Sequence, residues 1–173
     1  MSGEPENPGG ADPGGDTTAN YIAQVTLDER TVVRRSRDVE HERQIAIHDL
    51  LNDNRFRPYG ELAPGPYSLN LRLEESRMIL DIHSGEGAYQ DSITVGLSPF
   101  RRIIKDYFTV CESYYEAIRT ASPSQIEAID MGRRGLHNEG SELLQQRLSS
   151  KADVDFDTAR RLFTLLCVLH IRG

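Results

Sequence analysis

The stretch YSLNLRLEESRMILDI, residues 67–82, decides the fold. Tyr67, Leu69, Leu71 and Leu73, then Met78, Leu80 and Ile82, put an apolar side chain at every second position, the period of a strand with one buried face. The linker Glu74-Glu75-Ser76-Arg77 lacks the Gly or Asn that a two-residue primed turn favours. The spacing therefore predicts a four-residue loop that sets Leu73 opposite Met78, Leu71 opposite Leu80 and Leu69 opposite Ile82. A slip of one residue would turn every one of these side chains to water, so the register is strongly specified.

Working outward, Gly85 and Gly87 mark a loop, and Ile93, Val95 and Leu97 resume the alternation. The opposite face of this meander carries Asn70, Arg72, Asp81, His83 and Thr94, so one face is wet and the other is covered by helices. On the N-terminal side, Asn54 to Pro66 holds three prolines and two glycines and reads as a surface loop. Before it, Val39, Ala46, Ile47, Leu50 and Leu51 fall on one side of a helix from an Asp38 cap to about Asn52, with His41 and His48 opposite. Tyr21 to Leu27 alternates loosely as a first strand.

Helices dominate the C-terminal half. Ser98-Pro99 reads as a cap followed by an N1 proline, opening the stripe Phe100, Ile103, Ile104, Tyr107, Cys111, Tyr114, Tyr115 and Ile118. Ser122-Pro123 repeats the signal ahead of Ile126 and Ile129. Leu143, Leu144 and Leu148 resume a helical pattern, and Asp155 or Asp157 caps a last helix, Thr158 to Arg172, that is apolar almost all round. The expected fold is α+β: an antiparallel β-meander of about four strands packed on one face by about four helices, the helices mainly C-terminal.

Composition bounds the function. The first 19 residues hold five glycines, three prolines and four carboxylates, too little apolar surface to offset ordering, and read as a disordered acidic tail before a single globular domain over residues 20–173. Removing Glu4, Glu6, Asp12 and Asp16 from the net charge of −7 leaves −3 for the body, which argues against nucleic acid or anionic lipid as a general partner. No secretory or transit pattern is present, and the longest apolar run, Leu165 to Leu169, is far below the roughly 20 residues that span a bilayer. The two cysteines, Cys111 and Cys167, sit on apolar helix faces and read as buried free thiols of a reducing cytoplasm.

Chemistry-bearing residues concentrate in Asp130-Met131-Gly132-Arg133-Arg134-Gly135-Leu136-His137-Asn138-Glu139-Gly140. An unbroken helix would put Arg133 and His137 inside the apolar stripe with Asp130 beside them, where buried charge must be paired or face a cleft. Three glycines in nine residues instead favour a break near Gly132 or Gly135 and a restart after Asn138 or Ser141, leaving Arg133, Arg134 and His137 on an exposed turn. A second candidate anion site is the start of the Ser98 helix, where Arg101, Arg102 and Lys105 meet free backbone N–H groups, though Asp106 offers Arg102 an ordinary surface pair. The histidines have no metal-ligand spacing, and zinc, nucleotide, phosphate-loop and serine-hydrolase motifs are absent, so no metal or cofactor is expected.

The runs Thr26 to Arg34, Pro99 to Phe108 and Ser122 to Gly140 resemble UPF0262, an uncharacterised alphaproteobacterial protein family, over about Ile22 to Arg172. That resemblance implies a bacterial cytoplasmic setting and carries no activity, cofactor or site residue. The residues themselves point to a non-enzymatic protein-interaction or regulatory module that docks a protein partner or self-associates. The alternative is binding or hydrolysis of a phosphorylated small molecule, clamped by Arg133 and by Arg101 or Arg102, with His137 as acid or base near its ordinary pKa of about 6.5.

Overall fold

A computed structural model describes residues 19–29 and 37–170. The tail expected over residues 1–19 lies, apart from Ala19, outside the described residues. Strands β1 (Ile22–Leu27), β3 (Tyr67–Glu74), β4 (Arg77–Ser84) and β5 (Tyr89–Gly96) form one sheet in the order β1-β3-β4-β5, and β2 (Phe56–Pro58) pairs with β6 (Ala152–Val154). Helices α1 (Arg37–Asn52), α2 (Arg101–Thr120), α3 (Pro123–Leu148) and α4 (Phe156–His170) complete the α+β fold.

The hairpin follows the alternation. Leu73 pairs with Met78, Leu71 with Leu80 and Leu69 with Ile82, and Met78 and Leu80 meet Val95 and Ile93 of β5. The connection is tighter than four residues, because Glu74 pairs with Arg77 and Glu75 takes φ +57°, the left-handed position usually given to Gly or Asn. The sheet is mixed rather than wholly antiparallel: β1 runs parallel to β3, with Val25 opposite Leu69 and Leu27 opposite Leu71. Helix α1 makes the crossover that a parallel pair requires. Asn54 secures that crossover, accepting from Ile22 N at 2.7 Å and donating to Ile22 O at 2.9 Å and Leu50 O at 2.8 Å.

The segment read as a loop contributes β2, whose Phe56 is fully buried and lies opposite Val154. Three residues ending in proline are too short a run to show a strand period, so the sequence hides this pairing. Ser98-Pro99 opens a 3₁₀ turn, Ser98–Phe100, and no side chain caps the start of α2. The stripe of α2 is buried from Ile103 to Cys111 and reaches solvent at Ile118. Ser122 and Gln125 form the reciprocal capping box that starts α3. Asp155 accepts from Thr158 N at 3.0 Å to cap α4, which is buried from Leu162 to Leu169 apart from Thr164.

The break expected near Gly132 or Gly135 does not occur: α3 runs unbroken for 26 residues through all three glycines. Gly140 has a packing reason, since a Cβ there would sit 2.2 Å from the Phe163 ring. The close approach joins α3 to α4, and the buried Ser141 hydroxyl, donating to His137 O at 2.6 Å, keeps the adjacent turn dry. A Cβ on Gly135 would meet nothing within 4 Å. Gly140→Ala should therefore destabilise the protein by roughly 1 to 3 kcal/mol through overpacking, and Gly135→Ala should stabilise it by roughly 0.5 to 1 kcal/mol through helix propensity. Urea denaturation of the two variants beside the parent chain reads both signs.

Candidate functional site

Continuity of α3 carries Arg133, Arg134 and His137 into a cleft of about 850 Å³ shared with α1, α2 and α4. Its size is that of a small-molecule site. Helix α1 contributes His41, Glu42, Ile45 and Asp49, α2 contributes Tyr107, Tyr114 and Tyr115, and α4 contributes Phe156, Arg160, Arg161 and Thr164. The expected cluster is thus brought together around a concavity rather than spread along an exposed turn.

Arg133 is the hub. Its Nη2 and Nε donate to Asp130 Oδ1 at 2.6 and 3.0 Å, its Nη1 lies 3.6 Å from Glu42 Oε1, and its guanidinium stands 4.4 Å from the centre of the Tyr114 ring. Burial works against its charge, and the Asp130 hydrogen bond together with the Asp130 and Glu42 charges outweighs that, so it stays ionised. The hydrogen bond from Arg133 also holds the Asp130 carboxyl below the usual carboxylate range. Asp130 Oδ2 takes Arg134 Nε at 3.1 Å. Glu42 is shared further: the Tyr115 hydroxyl donates to it at 2.5 Å, and burial first and this bond second push the Tyr115 phenol well above its ordinary range. Arg133 therefore clamps α3 to α1 and has little capacity left for a ligand.

His137 is held from every side. Its Nε2 lies 2.7 Å from Thr164 Oγ1, and the Thr164 hydrogen goes to Arg160 O at 3.2 Å, which assigns the ring proton to Nε2. Its Nδ1 faces Ser141 Oγ at 3.4 Å, and the ring packs 5.2 Å from Phe163 and 5.4 Å from Tyr107. Burial first, then the Arg160 and Arg133 charges, lower its pKa to about 4. The imidazole is neutral at neutral pH, which corrects the expectation of an acid or base near its ordinary value. Burial likewise pushes the Cys111 thiol up to about 11 and the Cys167 thiol well above its ordinary value, so both buried cysteines are protonated.

Arg101 and Arg102 do not join this cluster. Both are exposed, neither lines the cleft, and Arg102 makes only a loose pair with Asp106 at 3.7 Å. A 3₁₀ turn precedes α2, and no side chain caps the helix start expected to collect anions. Among the described residues, no group of three His, Cys, Asp or Glu side chains is placed to hold a metal ion, and no helix is long and apolar enough to cross a membrane. Glu42, Arg160, Arg161 and Thr164 are site residues that the sequence reading passed over. Thr164 alone left a signal, a hydroxyl set among the apolar residues Leu162 to Leu169 that needs a partner on another element.

The family model for UPF0262, an uncharacterised protein family, matches residues 19–172. The chain belongs to this family. It is 60% identical over 157 residues to a UPF0262 protein of Azorhizobium caulinodans, covering 89% of this chain and 96% of that one. A Rhizobium etli relative is 58% identical over 152 residues and a Paramagnetospirillum magneticum relative 57% identical over 152, each covering 88% of this chain and 96% of the relative. UPF0262 relatives of this kind are mostly alphaproteobacterial, and their family carries no assigned function. No solved structure matches the chain.

The lowered His137 pKa has a consequence for stability. The unfolded imidazole, near 6.5, takes up its proton before the folded one near 4 does. The contribution is complete above about pH 6.5 and falls away as pH drops toward the folded value, by at most about 1.4 kcal/mol per pH unit. Urea denaturation between pH 7 and pH 5 should therefore show a steeper loss in the parent chain than in His137→Gln. NMR titration should put the His137 ring near pKa 4.

Proposed function

We propose that this UPF0262 protein is a non-enzymatic, cytoplasmic binding module whose ligand occupies the cleft between the four helices. One observation carries the reading: guanidinium and aromatic groups from separate helices converge on a cavity of small-molecule size, while its reactive groups are held inactive. His137 is neutral and hydrogen-bonded, the Cys111 thiol is protonated, and burial raises the Tyr107 and Tyr115 phenols. Recognition fits such a site better than acid–base or nucleophilic turnover does. The bacterial family and the buried, unpaired cysteines support the cytoplasmic setting.

A partner protein or second copy of the chain is the other reading. Ile118 and Met131, 51% and 63% exposed, favour it, but single exposed apolar residues are ordinary on monomers. Thermal unfolding of the full chain against a panel of charged and uncharged metabolites separates the two. A ligand at 100 times its Kd adds about 2.7 kcal/mol, a rise of several degrees for a domain of this size. Asn138→Trp, an exposed helix position on the cleft lining, should abolish that rise by filling the cavity. A shift that survives Asn138→Trp, or no shift from any metabolite, removes the cleft as the binding site and leaves the protein partner.

A further inference from the structure

The chemistry of the ligand follows from which cleft cations are already satisfied. Four arginines line the cleft, Arg133, Arg134, Arg160 and Arg161, against two carboxylates, Glu42 and Asp49. This local excess of positive charge stands in a chain whose net charge is −7, so it is not a by-product of a basic composition. Arg133 is taken by Asp130, Glu42 and Tyr114, and Arg134 leans on Asp130. The α4 pair differs. Among the described residues, the Arg160 side chain reaches only Asp157, at 3.5 Å, a carboxylate 62% exposed and outside the cleft lining. Arg161 donates to a backbone carbonyl, Asp53 O at 3.2 Å, and among the described residues has no carboxylate partner.

Resting on the cleft as a binding site, we propose that it takes an organic phosphate, with the phosphate on Arg161 and Arg160 and the organic body against Tyr115 and Phe156. Two guanidinium groups on one cleft lining offer more donors than the two oxygens of one carboxylate can accept, whereas a phosphate monoester presents three oxygens and a charge of about −1.5 to −2. A bare phosphate leaves the aromatic ring faces on the same lining uncovered, so the site favours an attached apolar or aromatic group. Arg133 acts here as a positioning residue, holding α3 against α1.

The test uses phenyl phosphate as probe, with inorganic phosphate and phenylacetate beside it, titrated calorimetrically into the full chain at low salt. Phenyl phosphate should bind at least tenfold more tightly than either comparator. Arg161→Met and Arg160→Met should each weaken it tenfold or more while leaving the far-ultraviolet circular dichroism unchanged. Arg161→Lys should recover part of the loss, because one ammonium cannot reproduce the fork. The double variant Arg101→Met/Arg102→Met, which removes the same kind of charge away from the cleft, should bind as the parent does. Equal weakening by that surface pair, phenylacetate binding as tightly as phenyl phosphate, or no binding of phenyl phosphate overturns the assignment. In those cases a panel ligand blocked by Asn138→Trp would still uphold the cleft as a binding site, so failure of the phosphate class is distinguishable from failure of the site.

Discussion

The contact between Gly140 and the Phe163 ring is the constraint on which the rest of the helical layer depends. With no Cβ on α3 at that point, the fully buried ring lies against the helix backbone. The close approach fixes the rotation of α3 on α4, and that rotation turns His137, one turn upstream, onto Thr164 and Arg133, two turns upstream, toward Glu42. A polar stretch with three glycines would be a poor helix alone. Burial at its C-terminal end, through Leu144 and Leu148, and the capping box at its start hold it in one piece.

What was legible in the sequence was whatever obeyed a local period. The Leu69 to Ile82 alternation excludes any one-residue slip, which would turn the apolar face to water, and the tight turn between Glu74 and Arg77 fixes the register that remains. Ser122 with Gln125 and Asp155 with Thr158 are short-range signals that survive folding unchanged. The parallel placement of β1 beside β3 was hidden, because alternation says which face is buried and nothing about strand direction. The continuity of α3 was hidden for a related reason. A glycine that ends a helix and a glycine that admits a ring look alike until the ring on α4 is known.

The site was partly legible in the same sense. Asp130, Arg133, Arg134 and His137 belong together because a helix spaces them three and four residues apart. Their roles needed the neighbours. Glu42, 91 positions before Arg133, makes that arginine a clamp, and Phe163 and Tyr107 keep water from His137. Arg133/Arg134, Arg160/Arg161 and Arg101/Arg102 are all adjacent arginine pairs in the sequence, and only the tertiary arrangement separates the first two, which meet the cleft, from the third, which does not. Charge on a sequence is cheap to find, and counter-ions come from elsewhere in the chain.

The small sheet of β2 and β6 bears on how the chain is made. Phe56 has its strand partner at Val154, and Arg55 beside it binds the Asp153 carboxylate at 2.8 and 3.0 Å. During synthesis from the N-terminus, the β3–β5 meander emerges with its strand partners at hand, whereas Phe56 waits for almost a hundred further residues before its own strand partner exists. A ribosome-bound intermediate of this protein would thus carry a paired sheet whose inner face, with the Phe56 ring, still lacks its helical cover, the state in which a nascent chain most needs a chaperone's protection.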